Sequence, residues 1–250
     1  MKAIIPAAGY ATRLYPLTEN TPKALLSIGA KRMIEHIIEK IEELKVVDEI
    51  IVVSNAKFYS QFVEWKKSFK CNTPIIVLND GTTSNETRLG AIGDYHFAIK
   101  SMKINDDVLF VSSDNFFNFD LKPIHERFCK SGRDTIALYD VGSLEEAKKL
   151  GIAELDENKK VIGFKEKPPE PKTTLCSIGI YLYTKHTVSL FEKYLKEGNS
   201  PDKPGEFLEW LHRHKPVYAF IFDEPHHKWY DIGTAETLEK VRKEYCNEGK

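Results

Sequence analysis

The chain has 250 residues, with 36 lysines and arginines against 37 aspartates and glutamates, and a formal net charge of −1. The two signs are interspersed, so it carries no polycationic footprint for nucleic acid, and no stretch approaches the roughly 18 apolar residues that span a membrane. A chain of this length buries most of its apolar surface without disulfides or structural metals; its four cysteines, Cys71, Cys129, Cys176 and Cys246, form no Cys-x-x-Cys pair and are expected as ordinary buried thiols in a reducing, cytoplasmic setting.

In chain order, "KAII" at residues 2–5 reads as a first strand, in an apolar run too short and too closely followed by Gly9 and Arg13 for a secretory signal. Pro6 sits late in that strand, which is tolerable where its missing N–H needs no partner. The next stretch, "AAGYATRLYPLTENTPKALL" at 7–26, puts Gly9, Arg13 and Lys23 into a loop stiffened by Pro16 and Pro22. A tight turn after a strand frees backbone N–H groups for phosphate oxygens, and Gly9 permits close approach. Met33, Ile34, Ile37, Ile38, Ile41 and Leu44 then recur at helical spacing, as do Phe58, Phe62, Trp65 and Phe69. Between and after them come the β-branched runs "EIIVVS" near 50, "PIIVLN" near 75, "DVLFVSS" near 110, "DTIALYDV" near 137, "IGIYLYT" near 180 and "VYAFIF" near 220. The early runs are almost continuously apolar, as strands covered on both faces require.

This alternation implies β-α-β units with right-handed crossovers, hence a Rossmann-like three-layer αβα fold with a mostly parallel mixed central sheet. A single domain over 1–250 is expected. After residue 140 the pattern loosens: "DENKK" reads as a hairpin turn between two short strands, and "KPPEPK" as an exposed loop. The second half is therefore an antiparallel addition to the same sheet that supplies a pocket wall. No hexapeptide period follows residue 245, so no appended left-handed β-helix is expected.

Ligands of such sheets bind at the carboxyl ends of the strands. The opening loop, the residues after "DVLFVSS" and the loop near 231 are all placed to meet there. Neither a Gly-x4-Gly-Lys-Ser/Thr loop nor the three-glycine dinucleotide fingerprint is present. Asp114 follows a buried strand and either sits at the C-terminal edge of the sheet or caps a helix starting at Phe116; Asp231 lies between an aromatic pair and a glycine turn, and is alternatively a neighbour of the cap of "TAETLEKV". His212, His214, His226 and His227 lack a third ligand at zinc spacing and read as surface or loop residues.

"GYATRLYPLTENTPKALL" closely resembles the signature of the sugar-phosphate nucleotidylyltransferases, the family of glucose-1-phosphate thymidylyltransferase. The resemblance extends over nearly the whole chain through "SSDN", "GIAELDENKKVIGFKEKP", "IGIY" and "WYDIGT". It implies Mg²⁺-dependent transfer of a nucleotidyl group from dTTP, UTP or CTP to a sugar 1-phosphate, with a thymidylyltransferase-like reaction first and a cytidylyl- or uridylyltransferase acting on another phosphorylated alcohol as the alternative. It further implies Arg13 and Lys23 as catalytic cations and Ala8, Gly9, Arg13 and Gly90 as nucleotide-binding residues. Asp114 and Asp231 become the metal ligands, and Gly151, Glu166, Lys167 and Ser177 the sugar-phosphate site. The family's base-reading glutamine has no counterpart in "LNDGTTSNETRLGAIGD", which leaves Asn79, Asn85 or Arg88 to face the base. Ser177 replaces a common asparagine, and "SSDN" replaces the commoner Gly-Asp-Asn.

The chemistry agrees with the residue types. A phosphate monoester is ionised near neutral pH, so no general base is needed and the absence of a Ser-His-Asp set is expected. Repulsion is the obstacle: each unit-charge pair at 4 Å costs about 4 kcal/mol at an effective dielectric of 20, so cations must do most of the work. A non-catalytic sugar-nucleotide-binding regulator on the same fold is the competing expectation, and a dinucleotide oxidoreductase is disfavoured by the missing glycines. Partners are thus a nucleoside triphosphate and a sugar 1-phosphate, with self-association into a homo-oligomer also expected from the resemblance.

Overall fold

A computed structural model describes residues 1–248, with side chains as far as Tyr245; Cys246 lies outside the described side chains. The first half contains β1 (Lys2–Pro6), β2 (Ser27–Ile28), β3 (Lys31–Arg32), α1 (Met33–Glu43), β4 (Glu49–Ser54) and α2 (Tyr59–Ser68). It continues with β5 (Ile75–Asn79), α3 (Ala91–Ser101), β6 (Val108–Val111), β7 (Asn115–Phe117), α4 (Lys122–Ser131) and β8 (Thr135–Asp140). Next come α5 (Leu144–Ala147), β9 (Gly151–Leu155), β10 (Val161–Glu166), β11 (Leu175–Tyr183), α6 (Lys185–Val188) and α7 (Leu190–Lys196). The chain closes with α8 (Pro204–His214), β12 (Tyr218–Phe222), β13 (Trp229–Asp231) and α9 (Ala235–Glu248).

The main sheet runs β10-β9-β11-β6-β1-β4-β5, with β8 on β11 and β12 on β8. Strands β6, β1, β4 and β5 are parallel, and β11 joins β6 antiparallel. Period-two alternation sends Ala3, Ile5, Ile50 and Val52 to one face with α1, α2 and α4, and Ile4, Ile51 and Val53 to the other with α3, α7 and α8. That division gives the expected three layers. Helix α1 buries Met33, Ile34, Ile37, Ile38 and Ile41 on one stripe, and its Glu35 caps the Arg32 N–H while accepting from the Trp65 indole, which ties α1 to α2. Among the described residues, no helix is long and apolar enough to cross a membrane.

Two local features shape the site. Pro6 pairs with Val53 of β4, whereas the pairing of β1 with β6 stops at Ile4, so no donor is missed on that side. A register shift in β11 between Ser177 and Tyr181 contains Gly179 at φ +69. A Cβ there would lie 2.5 Å from Ser112 Oγ and 2.6 Å from Asn115 Nδ2, so only glycine lets β11 press against the loop after β6.

The cysteine expectation holds in part: Cys176 is buried, Cys71 is half-buried and Cys129 is exposed on α4. "DENKK" does connect the antiparallel pair β9 and β10, and "KPPEPK" is an irregular loop.

Candidate active site

The strand ends build a cleft of about 270 Å³ lined by the opening loop, the start of α3, Ser112 to Asp114, and Asp202 with Pro204. In the opening loop, Leu14, Ala24, Leu25 and Leu26 are buried and Thr18 is fully buried, its hydroxyl donating to the Ala11 carbonyl at 2.8 Å. Asn55 at the end of β4 donates to the Ala8 carbonyl at 2.7 Å, which orients the turn. A Cβ added at Gly9 would meet no protein atom within 4 Å, so the glycine keeps open space in the cleft.

Asp114 does not cap a helix. The chain continues from it into β7, which pairs antiparallel with β13 so that Asn115 faces Asp231, and the Ile232 N–H donates to the Asp114 carbonyl at 2.9 Å. The two aspartates, 117 positions apart in sequence, are thereby neighbours. Buried Asn115 locks this ladder: its amide donates to the Ile178 carbonyl at 2.6 Å and its oxygen accepts from the Trp229 indole at 3.0 Å. Phe116, Ile232, Leu238, Val241, Leu26, Ile28 and Met33 pack into a small separate core beneath it. Asp231 does not cap α9 either, since the Thr237 N–H bonds the Thr234 hydroxyl.

Lys23 Nζ donates to Asp114 Oδ2 at 3.0 Å. Asp231 stands at the rim, where loss of hydration and then the neighbouring Asp114 push its carboxyl upward, opposed by Lys23, Arg13 and Lys167. A Cβ at Gly233 would lie 3.7 Å from Asp231 Oδ1 and 3.8 Å from Arg13 Nη1, so guanidinium and carboxylate flank the same glycine. Arg13, Lys23, Asp114, Asp231 and Lys167 thus share one region.

The other expected site residues divide. Glu166 and Gly151 are register partners on β10 and β9. A Cβ at Gly151 would come within 2.9 Å of Glu166 Oε2, and Gly205 crowds the same carboxylate from α8. Burial raises the Glu166 carboxyl, with Lys203 and Lys167 opposing. Ser177 donates to the Tyr181 hydroxyl at 3.0 Å. This group lies on the β9–β11 side and does not line the cleft that holds Ala8, Gly9 and Gly90.

Gly90 lines the cleft at φ +79, but the N-terminal amides of α3 are not free for phosphate. The Ala91 N–H donates to the Asp202 carbonyl, and those of Ile92 and Gly93 to the Pro201 carbonyl. A Cβ at Gly90 would lie 2.5 Å from the Pro201 oxygen, so this glycine is required by the 201–202 loop. Arg88 is held in the same place by Asp202 at 3.1 Å. Asn79 takes the Gly81 N–H with its side chain, and the Asn85 carbonyl accepts from Arg88.

Sequence reasoning missed Asp94, which is 5% exposed and lines the cleft. The signal was available: an aspartate stands among Ile92, Tyr95 and Ala98 on the buried stripe of α3. The histidine reading also needs amending. Glu224 supplies a third group, with ligand atoms of Glu224, His226 and His227 within 4.8 Å of one another, although the Glu224 N–H already uses His227 Nδ1 in an exposed turn.

An α/β sheet that gathers cations and two aspartates at its strand ends defines a phosphate-handling enzyme class. Residues 2–248 match the family described as nucleotidyl transferase, and the chain belongs to that family. It is 34% identical over 193 residues to the bifunctional protein GlmU of Methanocaldococcus jannaschii, and 29% identical over 192 residues to that of Methanococcus aeolicus. Each match covers 77% of this chain and 42% of the relative, so the chain spans less than half the length of these proteins. Among solved structures, a putative glucose-1-phosphate thymidylyltransferase of Bacillus anthracis in complex with a sucrose superposes with TM-score 0.82 at 24% identity, covering 98% and 95% of the two chains. A UDP-glucose pyrophosphorylase complexed with UDP-glucose gives 0.81 at 21% identity, covering 99% and 98%. These likenesses share the fold.

Proposed function

We propose that the chain is a Mg²⁺-dependent sugar-1-phosphate nucleotidylyltransferase, transferring a nucleotidyl group from dTTP, UTP or CTP to a sugar 1-phosphate. The observation that carries this reading is the convergence of Lys23, Arg13 and Lys167 on the carboxylates of Asp114 and Asp231. A phosphate oxygen of the sugar phosphate attacks the α-phosphorus, the bond to the bridging oxygen breaks, and pyrophosphate departs with the electron pair. The attacking monoester is ionised at neutral pH, so the site needs positive charge and alignment and no proton acceptor.

Arg13 binds the triphosphate and stabilises charge growing at the α-phosphorus. Lys23, held by Asp114, bridges the α-phosphate and the incoming phosphate; Lys167 anchors the sugar phosphate and Glu166 accepts hydrogen bonds from sugar hydroxyls. Two adjacent carboxylates, one of them driven upward by loss of hydration and then by the other, suit a hard divalent cation, and Asp114 and Asp231 would hold Mg²⁺. Bound there, the ion supplies charge neutralisation at the phosphate oxygens.

The test is pyrophosphate release from a panel of triphosphates and sugar 1-phosphates, with inositol and choline phosphates included. Arg13→Ala and Asp114→Asn each lower turnover by about a hundredfold or more while the melting curve is retained. Near-normal turnover in either purified variant removes that residue's role, and no release with any pair sinks the reading.

A further inference from the structure

The connection from β12 to β13 reads "DEPHHK" at 223–228. The His227 N–H donates to the Glu224 carbonyl at 2.9 Å, closing a β-turn with Pro225 at its second position, where the fixed φ of proline is already suited. The first, third and fourth residues of this turn are Glu224, His226 and His227, and their ligand atoms lie within 4.8 Å of one another. His226 Nδ1 is 3.5 Å from Glu224 Oε2. Donor atoms about 2.1 Å from a tetrahedral ion stand about 3.4 Å apart, so that pair is already spaced for a shared ion. Glu224 and His226 are exposed and His227 is half-buried, so small side-chain rotations close the rest of the gap. The surroundings fix the turn. The His227 ring meets the Phe119 and Phe222 rings edge-on at 5.4 and 5.7 Å. Asn118, just after β7, donates to the His226 carbonyl at 2.9 Å and accepts from the Lys228 N–H at 2.8 Å, and the Tyr139 hydroxyl donates to the His227 carbonyl at 3.2 Å. A turn pinned from both sides has little backbone freedom left to lose on binding.

We propose that Glu224, His226 and His227 bind a divalent ion of the zinc and nickel class, and that this ion staples the turn leading into β13. Two imidazoles and one carboxylate suit such a borderline ion, whereas Mg²⁺ takes oxygen ligands, so the set differs in kind from Asp114 and Asp231. Three protein ligands leave a fourth position for water. Ligation costs His227 one contact. The Glu224 N–H donates to its Nδ1 at 3.3 Å, and that bond is lost whichever ring nitrogen takes the metal, because a neutral ring that ligates through Nε2 carries its proton on Nδ1. The freed donor lies in an exposed turn and passes to water, so no buried group is stranded. None of the three side chains lines the cleft; the turn instead feeds Trp229–Asp231, which pairs with β7. Fixing the turn opposes local opening of the ladder that sets Asp231 beside Asp114. The inference stands on this cluster and is independent of the transfer reading.

The experiment titrates the full chain with ZnCl₂ by calorimetry in saturating Mg²⁺, which occupies oxygen-only sites, and follows amide hydrogen exchange over 229–231 with and without Zn²⁺. The expected result is a site with Kd of about 10 μM or tighter, weakened about tenfold or more in His226→Gln and His227→Gln and about threefold or more in Glu224→Gln. Zn²⁺ is expected to slow exchange over 229–231 about tenfold in the wild type and to leave it unchanged in His226→Gln. No Zn²⁺ site tighter than about 100 μM overturns the inference. A site that survives all three substitutions also overturns it, since the ion then sits on other histidines or cysteines, as does unaltered exchange over 229–231 with the site filled. If His227→Gln does not fold, because its ring packs on Phe119 and Phe222, the exposed positions His226→Gln and Glu224→Gln decide by the same thresholds.

Discussion

Two pairs of aspartates each send one member, Asp114 and Asp94, to the lining of the same cleft, and they are treated differently. Asp114 and Asp231 are brought together by a strand ladder, and Lys23, Arg13 and Lys167 oppose the rise that loss of hydration and Asp114 cause in the Asp231 carboxyl. Asp80 and Asp94 meet between β5 and α3 with no cation among the causes that set the Asp94 carboxyl, which answers by keeping its proton. The first arrangement sets acids among cations; the second keeps a buried neutral carboxyl. Identical side chains thus acquire distinct chemistry from hydration and neighbours alone.

Removing the compensation at the first pair has the largest expected effect. In Lys23→Met, which keeps the chain length and deletes the ion pair to Asp114, turnover falls about a hundredfold in a pyrophosphate-release assay, with a folded circular dichroism spectrum; loss of less than about threefold shows that Arg13 suffices. Next is the support of that pair. Gly179→Ala forces a Cβ toward Ser112 and Asn115 in a left-handed backbone, and is expected to lose about 2–3 kcal/mol in denaturant unfolding together with turnover, because the displaced loop carries Asp114.

At the second pair the expected change has the opposite sign. The folded state retains a proton on Asp94 that the unfolded chain releases above its ordinary 3.8, so stability declines as pH rises from about 4 towards about 8 and is level beyond. Asp94→Asn should flatten that decline and gain about 1–3 kcal/mol at pH 7.5, read from unfolding midpoints across pH. An identical pH slope in the variant would show that Asp94 is ionised in the native protein. The smallest effect is Gly9→Ala: with no protein atom near the added Cβ, stability stays within about 0.5 kcal/mol, while KM for the triphosphate rises. Equal KM values would mean that the nucleotide does not approach that turn.

Much of this was legible before the fold was known. The β-branched runs and the stripe from Met33 to Ile41 marked the parallel layers, because burial on both faces of a sheet leaves a one-dimensional record. That the amides after Gly90 are already bonded was not legible, since the Pro201 and Asp202 carbonyls that accept from the first turn of α3 come from more than a hundred residues away. The grouping of Glu166 with two glycines likewise depends on a strand register and a helix from different segments.

By itself the sequence determined the layer order of helices and strands, the loop bearing Arg13 and Lys23, and the family to which the chain belongs, all of which follow from local periodicity and contiguous motif. Tertiary structure alone decided that Asp114 meets Asp231, through the short β7–β13 ladder, and that Asp94 lies against Asp80. Three-residue strands and a single acid on a helix face carry too little pattern to announce their partners. Their chemistry arises only when distant segments bring the paired carboxylates together.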